Sequence, residues 1–174
     1  MTDPASEKLT IRYGIRSDVG LVRQDNEDSA YAGGRLLVVA DGMGGHAHGE
    51  VASAAAIEAL RPLDTSVPDD EPLNALENAV QRAGKRLREM VEADPSLRGM
   101  GTTLTALLWS GSRLGLAHIG DSRAYLVRDG EIFQITHDHT LVQSLLDEGR
   151  ITEDEVATHP KRMLLLRVDR KSVV

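Results

Sequence analysis

The spacing of apolar residues changes several times along the chain, and each spacing predicts a different element. Apolar and polar residues alternate from residue 9 to 15, which predicts a half-buried strand. A continuous apolar run within 35–40 predicts a buried strand, entered through a hairpin turn at Gly33-Gly34. Further strands are predicted at 29–32, 102–109, 113–119, 124–127 and 131–136.

Helical spacing is clearest between residues 73 and 90, where apolar residues recur at steps of three and four. This long amphipathic helix can pack on a sheet or, less commonly for an isolated helix, pair in a coiled coil. An alanine-rich segment at 49–60 predicts a second helix that stops near Pro62.

Two short helices are predicted near the end of the chain from their capping residues. Thr140 has the position of an N-cap before 141–148, with Gly149 as the C-terminal stop. Thr152 and Glu155 have the spacing of a capping box. Because hairpin signals such as Asp129-Gly130 join the later strands, we expect an α+β fold with largely antiparallel sheets.

Composition narrows the class of protein. The chain has 174 residues, the size of one domain, and no cysteine, which excludes disulfides and cysteine nucleophiles. A net charge of −7 argues against a nucleic-acid-binding surface. The polar start has no secretory pattern, and no apolar run approaches the ~20 residues of a membrane span. We therefore expect a cytoplasmic protein with no membrane segment.

The pair Asp41-Gly42 directly follows the apolar run and opens a glycine-rich turn. A carboxylate beside an outward-facing carbonyl offers two oxygen ligands to Mg²⁺ or Mn²⁺. An ordinary Asp-Gly turn accounts for the same pair, and such turns also bind phosphate in nucleotide-binding proteins. Asp41 would repel a phosphate, however, and no Gly-Lys-Ser/Thr follows, so a nucleotide site is the weaker alternative.

Two further acidic positions extend this hypothesis. Asp121 ends another predicted strand, although a turn capped by its carboxylate is an equal alternative. Glu27 and Asp28 follow Arg23 in a polar segment of the kind that is usually a solvated loop. Together these residues can form a metal cluster beside a phosphate-binding guanidinium.

The histidines are not assigned to this cluster. His118 lies within an apolar strand and is expected to be structural. Two short histidine-containing segments are expected to be solvated loops, because neither has the third and fourth ligands of a zinc site. These segments contain His46, His48, His137, Asp138 and His139.

Four ordered segments carry the candidate residues. They are Arg23-x-x-Asn26-Glu27-Asp28-Ser29, Val39-Ala40-Asp41-Gly42-Met43-Gly44-Gly45, Gly101-Thr102-Thr103 and Ile119-Gly120-Asp121-Ser122-Arg123-Ala124. In this order they resemble the metal-dependent protein phosphatases of the PP2C or PPM family, most closely the bacterial branch that opposes Ser/Thr kinases. The resemblance covers residues 11 to 167 and implies an α-β-β-α sandwich of antiparallel sheets flanked by helices.

The resemblance also implies roles for five residues. Arg23 would hold the substrate phosphate, and Glu27 would contact a metal partly through water. Asp41 would bridge two Mn²⁺ or Mg²⁺ ions, with a carbonyl ligand from Gly42. Asp121 would bind a third, weaker ion. The implied reaction is hydrolysis of phosphoserine and phosphothreonine by a metal-activated water, without a phosphoenzyme.

Two features depart from the family. Met43 stands where some members have a histidine that is proposed as general acid. The family domain also continues beyond the segment matched by 159–167, with two more metal aspartates, whereas Asp169 here matches neither. We therefore expect residues 1–174 to be a single phosphatase domain that lacks the C-terminal part of the family domain, with the apolar run 163–166 exposed.

Two functions follow from these observations. The first is a PP2C-type phosphatase, acting as a monomer on phosphoproteins that Ser/Thr kinases produce. The second is a truncated, weak or inactive module that binds a phosphoprotein or another partner without turnover, because two-metal chemistry needs both ions.

Overall fold

The computed structural model describes residues 11–44, 48–65, 72–111 and 113–166. Their strands are β1 (Asp28–Ala32), β2 (Leu36–Met43), β3 (Gly101–Thr102), β4 (Leu104–Ser110), β5 (Arg113–Ile119), β6 (Tyr125–Arg128) and β7 (Glu131–Gln134). The helices are α1 (His48–Leu60), α2 (Pro72–Ala93), α3 (Leu141–Asp147) and α4 (Glu153–Thr158), with 3₁₀ turns at Arg61–Asp64 and Pro95–Leu97.

The first sheet is antiparallel, in the order β1-β2-β4-β5. The short strand β3 pairs with Gly42 and Met43, the last two residues of β2. Gly33 donates its N–H to the carbonyl of Leu36 at 2.8 Å, so the predicted hairpin between β1 and β2 forms, but it turns at residues 34–35, one residue later than predicted. β6 and β7 form a separate two-stranded sheet. The expected α+β class with antiparallel sheets is confirmed.

The core lies between the first sheet and helices α1 and α2. Alternate residues of β2 are buried against the helices, so Leu36 and Val38 join one cluster with Leu60 of α1 and Leu76 of α2. The intervening Val39 is 45% exposed, so the strand is half-buried rather than buried on both faces as predicted. Because side chains alternate across a strand, Asp41 lies on the same exposed face as Val39.

Helix α2 packs on β5 and α1, so the sheet-packing alternative is confirmed over the coiled coil. The spacing of its apolar residues predicted both ends of the helix to within three residues. At the end of α1 the chain turns into the 3₁₀ segment Arg61–Asp64, with Pro62 in its first turn, where the missing N–H costs no hydrogen bond.

The capping predictions for the short elements are confirmed. Asp129 (φ 53°) and Gly130 (φ 83°) form the turn between β6 and β7. The Thr140 side chain accepts a hydrogen bond from the N–H of Gln143 at the start of α3. Thr152 donates its N–H to the Glu155 carboxylate at 2.8 Å, which completes the capping box of α4.

The strand predicted at 9–15 is wrong for its described part. Residues 11–19 have no regular secondary structure, and Tyr13 and Ile15 are more than half exposed; residues 9 and 10 lie outside the described ranges. A strand needs a neighbouring chain for its backbone N–H and C=O groups. No described strand pairs with this segment, so the alternation of its side chains did not suffice.

The apolar run near the end of the chain is exposed, as expected. Met163 is 72% exposed, and Leu164 and Leu166 are also exposed, while Leu165 forms an isolated bridge with Thr140. Asp169 lies outside the described residues. Across the described ranges, no helix has the length and apolarity needed to cross a membrane.

Candidate metal centre

The backbone of Asp41 is held on both sides by Thr103, which precedes β4. The Asp41 N–H donates to Oγ1 of Thr103 at 3.0 Å, and the Asp41 carbonyl accepts the N–H of Thr103 at 2.9 Å. The Thr102 hydroxyl also donates to that carbonyl at 3.0 Å. Asp41 is therefore fixed at the end of β2 while its side chain stays exposed.

Acidic residues surround the Asp41 carboxylate. Asp28 lies directly opposite Asp41 in the β1–β2 register, an arrangement in which like charges destabilise a sheet. The pKa of Asp41 is raised above its ordinary value of 3.8, first by burial, then by the charge of Asp28 and a hydrogen bond with it, and then by the charge of Asp121. The guanidinium of Arg23 lowers the same pKa and thus lies within electrostatic reach. This concentration of negative charge favours a cation.

Glu27 and Gly42 come together beside the first turn of α1. The carbonyl of Glu27 accepts the N–H of Gly42 at 3.2 Å and the Ser53 hydroxyl at 2.7 Å. A Cβ on Gly49 would lie 2.8 Å from the carboxyl carbon of Glu27, and a Cβ on Gly42 would collide with the Gly49 backbone. The two glycines therefore allow the Glu27 carboxylate to lie next to the strand end that carries Asp41.

Asp121 approaches from the turn after β5. Gly120 before it has a φ of +103°, which L side chains rarely adopt. The hydroxyl of Ser122 after it lies 2.6 Å from that of Thr103. Thr103 thereby connects the Asp121 turn to the Asp41 backbone.

Arg23 lies in an exposed segment outside regular secondary structure. A cavity of about 270 Å³ is lined by residues that include Arg16, Asp28, Asp41 and Ser122, but not by Arg23. A second cavity of about 510 Å³ is lined by Asp121, Arg123, Arg162 and Met163, among others. Asp121 therefore lines a different cavity from the one beside Asp41.

The donors fit a hard divalent cation in kind, since Asp41, Glu27 and Asp121 offer carboxylates and Gly42 a backbone carbonyl. Over the described ranges, no group of three or more His, Asp or Glu side chains is arranged so that it could hold a metal ion. Mg²⁺ commonly keeps several waters and takes one or two protein carboxylates. A carbonyl and water would thus have to complete the coordination around Asp41.

The expectation of a solvated loop at His137-Asp138-His139 is wrong for two of the three residues. Asp138 is buried and accepts a two-point ion pair from Arg123, with Nη2 to Oδ2 at 2.7 Å and Nε to Oδ1 at 2.9 Å. Nδ1 of His139 accepts the N–H of Gly120 at 3.2 Å. Only His137 is exposed, paired with the Asp147 carboxylate. The sequence showed a polar run but not the arginine 15 positions earlier that Asp138 neutralises.

Of the other histidines, His118 follows its prediction and His48 does not. His118 is buried in β5, and its Nδ1 lies 2.9 Å from the Thr105 hydroxyl, so a structural role is confirmed. His48 is the first residue of α1 rather than part of a loop. His46 lies outside the described residues.

Comparison with known proteins finds a matching family model and several similar proteins. A family model described as protein phosphatase 2C matches residues 16–158. The serine/threonine protein phosphatase PstP of Mycobacterium tuberculosis is 58% identical over 159 residues, covering 91% of this chain and 31% of that protein. The serine/threonine phosphatase stp of Listeria welshimeri is 36% identical over 165 residues, covering 88% of this chain and 64% of that protein.

A solved structure extends the likeness to three dimensions. It is the catalytic domain of PstP in complex with two manganese ions, and its TM-score is 0.84 at 55% identity. The match covers 95% of this chain and 70% of that one. The chain therefore spans about a third of the length of one curated relative and just under two thirds of the other.

Proposed function

The chain belongs to the protein phosphatase 2C family, and we propose that it hydrolyses phosphoserine and phosphothreonine in proteins with the help of Mn²⁺ or Mg²⁺. We further propose that residues 1–174 act as a single phosphatase domain. The observation that carries the proposal is the opposition of Asp28 and Asp41 across β1 and β2, with Asp121 and Glu27 close by. This arrangement is unfavourable alone and favourable around a cation.

Two ions would be held through Asp41, the carbonyl of Gly42 and Glu27, and a third would be held at Asp121. Bound divalent ions supply a water of lowered pKa and neutralise charge on a phosphoryl group. The hydrogen bonds to Thr103 hold the backbone of Asp41 in place at the end of β2. Asp28 keeps negative charge next to Asp41, which strengthens attraction for a cation.

Arg23 would bind the substrate phosphate. A guanidinium can donate two parallel hydrogen bonds to phosphate oxygens. Its influence on the pKa of Asp41 supports a position beside the proposed ions.

The proposed substrates are phosphoproteins made by Ser/Thr kinases, and the proposed setting is the cytoplasm, with the chain as a monomer. The net charge of −7 is consistent with the absence of a nucleic-acid partner. The names of the relatives, which are serine/threonine phosphatases, support the choice of substrate.

The experiment is Mn²⁺-dependent release of phosphate from a phosphothreonine peptide. We expect Asp41→Ala to reduce kcat at least 100-fold, because it removes a ligand shared by the proposed ions. Arg23→Ala is expected to raise KM and lower kcat/KM about 10- to 100-fold. Asp129→Asn, in the β6–β7 turn, and Arg128→Ala, on exposed β6, are matched controls that should retain wild-type rates.

Full activity of Asp41→Ala and Arg23→Ala would contradict the site assignment. Absence of turnover in the wild-type chain at saturating Mn²⁺, with the phosphopeptide still bound, would support the second function, a non-catalytic phosphoprotein-binding module. That alternative is favoured by one observation: within the described part of the chain, no three acidic or histidine side chains could hold an ion by themselves.

A further inference from the structure

Thr103 is buried between β3 and β4, with 1% of its surface exposed, and it contacts both polar groups of the Asp41 backbone. The N–H of Asp41 donates to the Thr103 hydroxyl, which leaves the hydroxyl hydrogen free for another acceptor. A single buried residue, through its hydroxyl and its backbone N–H, therefore holds the strand end that carries the candidate bridging carboxylate.

The same side chain contacts both chain neighbours of Asp121. Its hydroxyl lies 2.6 Å from the hydroxyl of Ser122. Its methyl group packs against Gly120, because a Cβ built on Gly120 would lie 2.7 Å from Cγ2 of Thr103. The hydroxyl and the methyl thus hold opposite sides of Asp121.

Thr105, in β4 and two residues after Thr103, also holds the Asp121 turn. Its hydroxyl donates to the carbonyl of Ser122 at 2.6 Å and lies 2.9 Å from Nδ1 of His118. Because the hydroxyl has one hydrogen and the carbonyl can only accept, Nδ1 of His118 is the donor in the second bond. Ser122 is therefore held at both its hydroxyl and its carbonyl, and the Asp121 turn has little freedom to move away.

We propose that Thr103 is a positioning residue that sets the distance between the Asp41 and Asp121 carboxylates and thereby the affinity for a divalent cation at Asp121. The inference rests on the proposed metal-dependent function. It assigns Thr103 no contact with ion or substrate, since its hydroxyl is already used by Asp41 and Ser122. The two halves of the side chain have separate tasks, which variants can separate.

The test uses three variants of the full chain. Thr103→Val keeps the shape and loses the hydroxyl, whereas Thr103→Ser keeps the hydroxyl and loses the methyl that packs on Gly120. Thr136→Val is the matched control: Thr136 is also buried, and its hydroxyl accepts one backbone N–H, that of Ala124 at 3.0 Å, without contacting Asp41, Gly120 or Ser122.

Two measurements are made on each protein. The first is exchange of the Asp41 amide proton in the ion-free chain, followed by NMR. The second is broadening of the Asp121 and Asp41 amide signals during a titration with Mn²⁺. We expect Thr103→Val to speed exchange at Asp41 at least tenfold and to require about tenfold more Mn²⁺ for broadening at Asp121. Thr103→Ser should restore most of the exchange protection, and Thr136→Val should match the wild type in both measurements.

Wild-type behaviour of Thr103→Val in both measurements would overturn the inference while leaving the proposed function intact. Equal effects of Thr103→Val and Thr136→Val would overturn it too, because any lost buried hydrogen bond would then do the same. If the wild-type chain shows no broadening at Asp41 with saturating Mn²⁺, the proposed function fails. The amide exchange of Thr103→Val then still decides whether Thr103 holds Asp41.

Discussion

The sheet–helix region, from β1 to β5, and the C-terminal region, from β6 to residue 166, are stabilised in different ways. Among the buried apolar residues of the described ranges, Val142 alone belongs to the C-terminal region. That region buries polar side chains instead, namely Thr136, Asp138 and Thr140. The first region is therefore held by apolar burial, and the second by hydrogen bonds and an ion pair.

The candidate site spans both regions. Asp41, Glu27 and Gly42 belong to the sheet–helix region, and Asp121 lies in the turn that leads out of it. Polar contacts connect that turn to the C-terminal region, including the Arg123–Asp138 pair and the bond from Gly120 to His139. The first three residues are therefore held by the packed core. The position of Asp121 depends also on the polar contacts to the C-terminal region, so it should change when those contacts are removed.

The largest expected effect is on the free energy of unfolding, when one leucine in each region is shortened to alanine. Leu108 of β4 is fully buried, whereas Leu126 of β6 is 41% exposed. Leu108→Ala should lower the free energy of unfolding by about 2–5 kcal/mol, since it removes apolar contacts and leaves a cavity. Leu126→Ala should cost less than about 1 kcal/mol. Urea unfolding followed by circular dichroism measures both.

Equal losses for the two leucine variants would contradict the difference between the regions. A large loss for Leu126→Ala alone would mean that the exposed β6–β7 sheet is covered in solution. Tryptophan fluorescence provides a local readout, because Trp109 lies in β4 next to Leu108.

The polar connection of the C-terminal region is tested at Asp138. The Arg123 guanidinium makes the two-point pair with the Asp138 carboxylate, whose side chain is only 8% exposed. This pair raises the pKa of Arg123. Asp138→Asn should cost about 1–2 kcal/mol, less than a fully buried pair because Arg123 itself is 46% exposed to water. Faster amide exchange is expected at 120–124 and 136–140, with β2 and β4 unchanged.

Asp147→Asn is the matched control. Asp147 pairs with His137 at 2.7 Å, but both side chains are exposed, so the substitution should lower the stability much less than Asp138→Asn does. If Asp138→Asn lowers the stability and speeds amide exchange no more than this control does, the C-terminal region is not held by the Arg123–Asp138 pair.

The same difference explains what could be predicted from the sequence. Helix α2, the β6–β7 turn and both capping motifs depend on residues close in sequence, so local spacing was enough to place them. The segment 9–15 failed because a strand depends on a distant partner.

For the site, the motifs brought the candidate acids to notice, but not the side chains that hold them. Thr103 was given no individual role, and Asp138 was wrongly expected in a solvated loop, because their roles depend on contacts with residues 62 and 15 positions away, respectively. The contacts of a buried polar side chain between two strand ends can be assigned only when the strand register is known. Asp28 could not be placed opposite Asp41 either, because a turn at Gly33-Gly34 would pair Asp28 with Val39, whereas the observed turn lies one residue later.

The smallest expected effect concerns Asp41 itself and has an unusual sign. Its pKa is raised above 3.8 in the fold, first by burial and then by Asp28 and Asp121, so folding favours the protonated form. The stability that this carboxyl contributes is present below pH 3.8 and is lost as the pH rises through its folded pKa. Asp41→Asn removes the charge and should stabilise the ion-free chain at pH 7 by about 0.2–1 kcal/mol, the scale of a cross-strand charge pair. At pH 3 the gain should disappear.

Asp64 provides the opposite control within the same region. Burial would raise the pKa of its carboxyl, but the N–H groups of Arg35 and Leu36 and the hydroxyl of Tyr31 outweigh burial and lower it. Its stabilisation is therefore present at neutral pH and lost as the pH falls through its folded pKa, so Asp64→Asn should destabilise at pH 7. Thermal unfolding in EDTA at pH 3 and pH 7 compares the two variants. A loss of stability in Asp41→Asn at pH 7 would mean that the acids around Asp41 are not in conflict, which would remove the main electrostatic reason for placing a cation there.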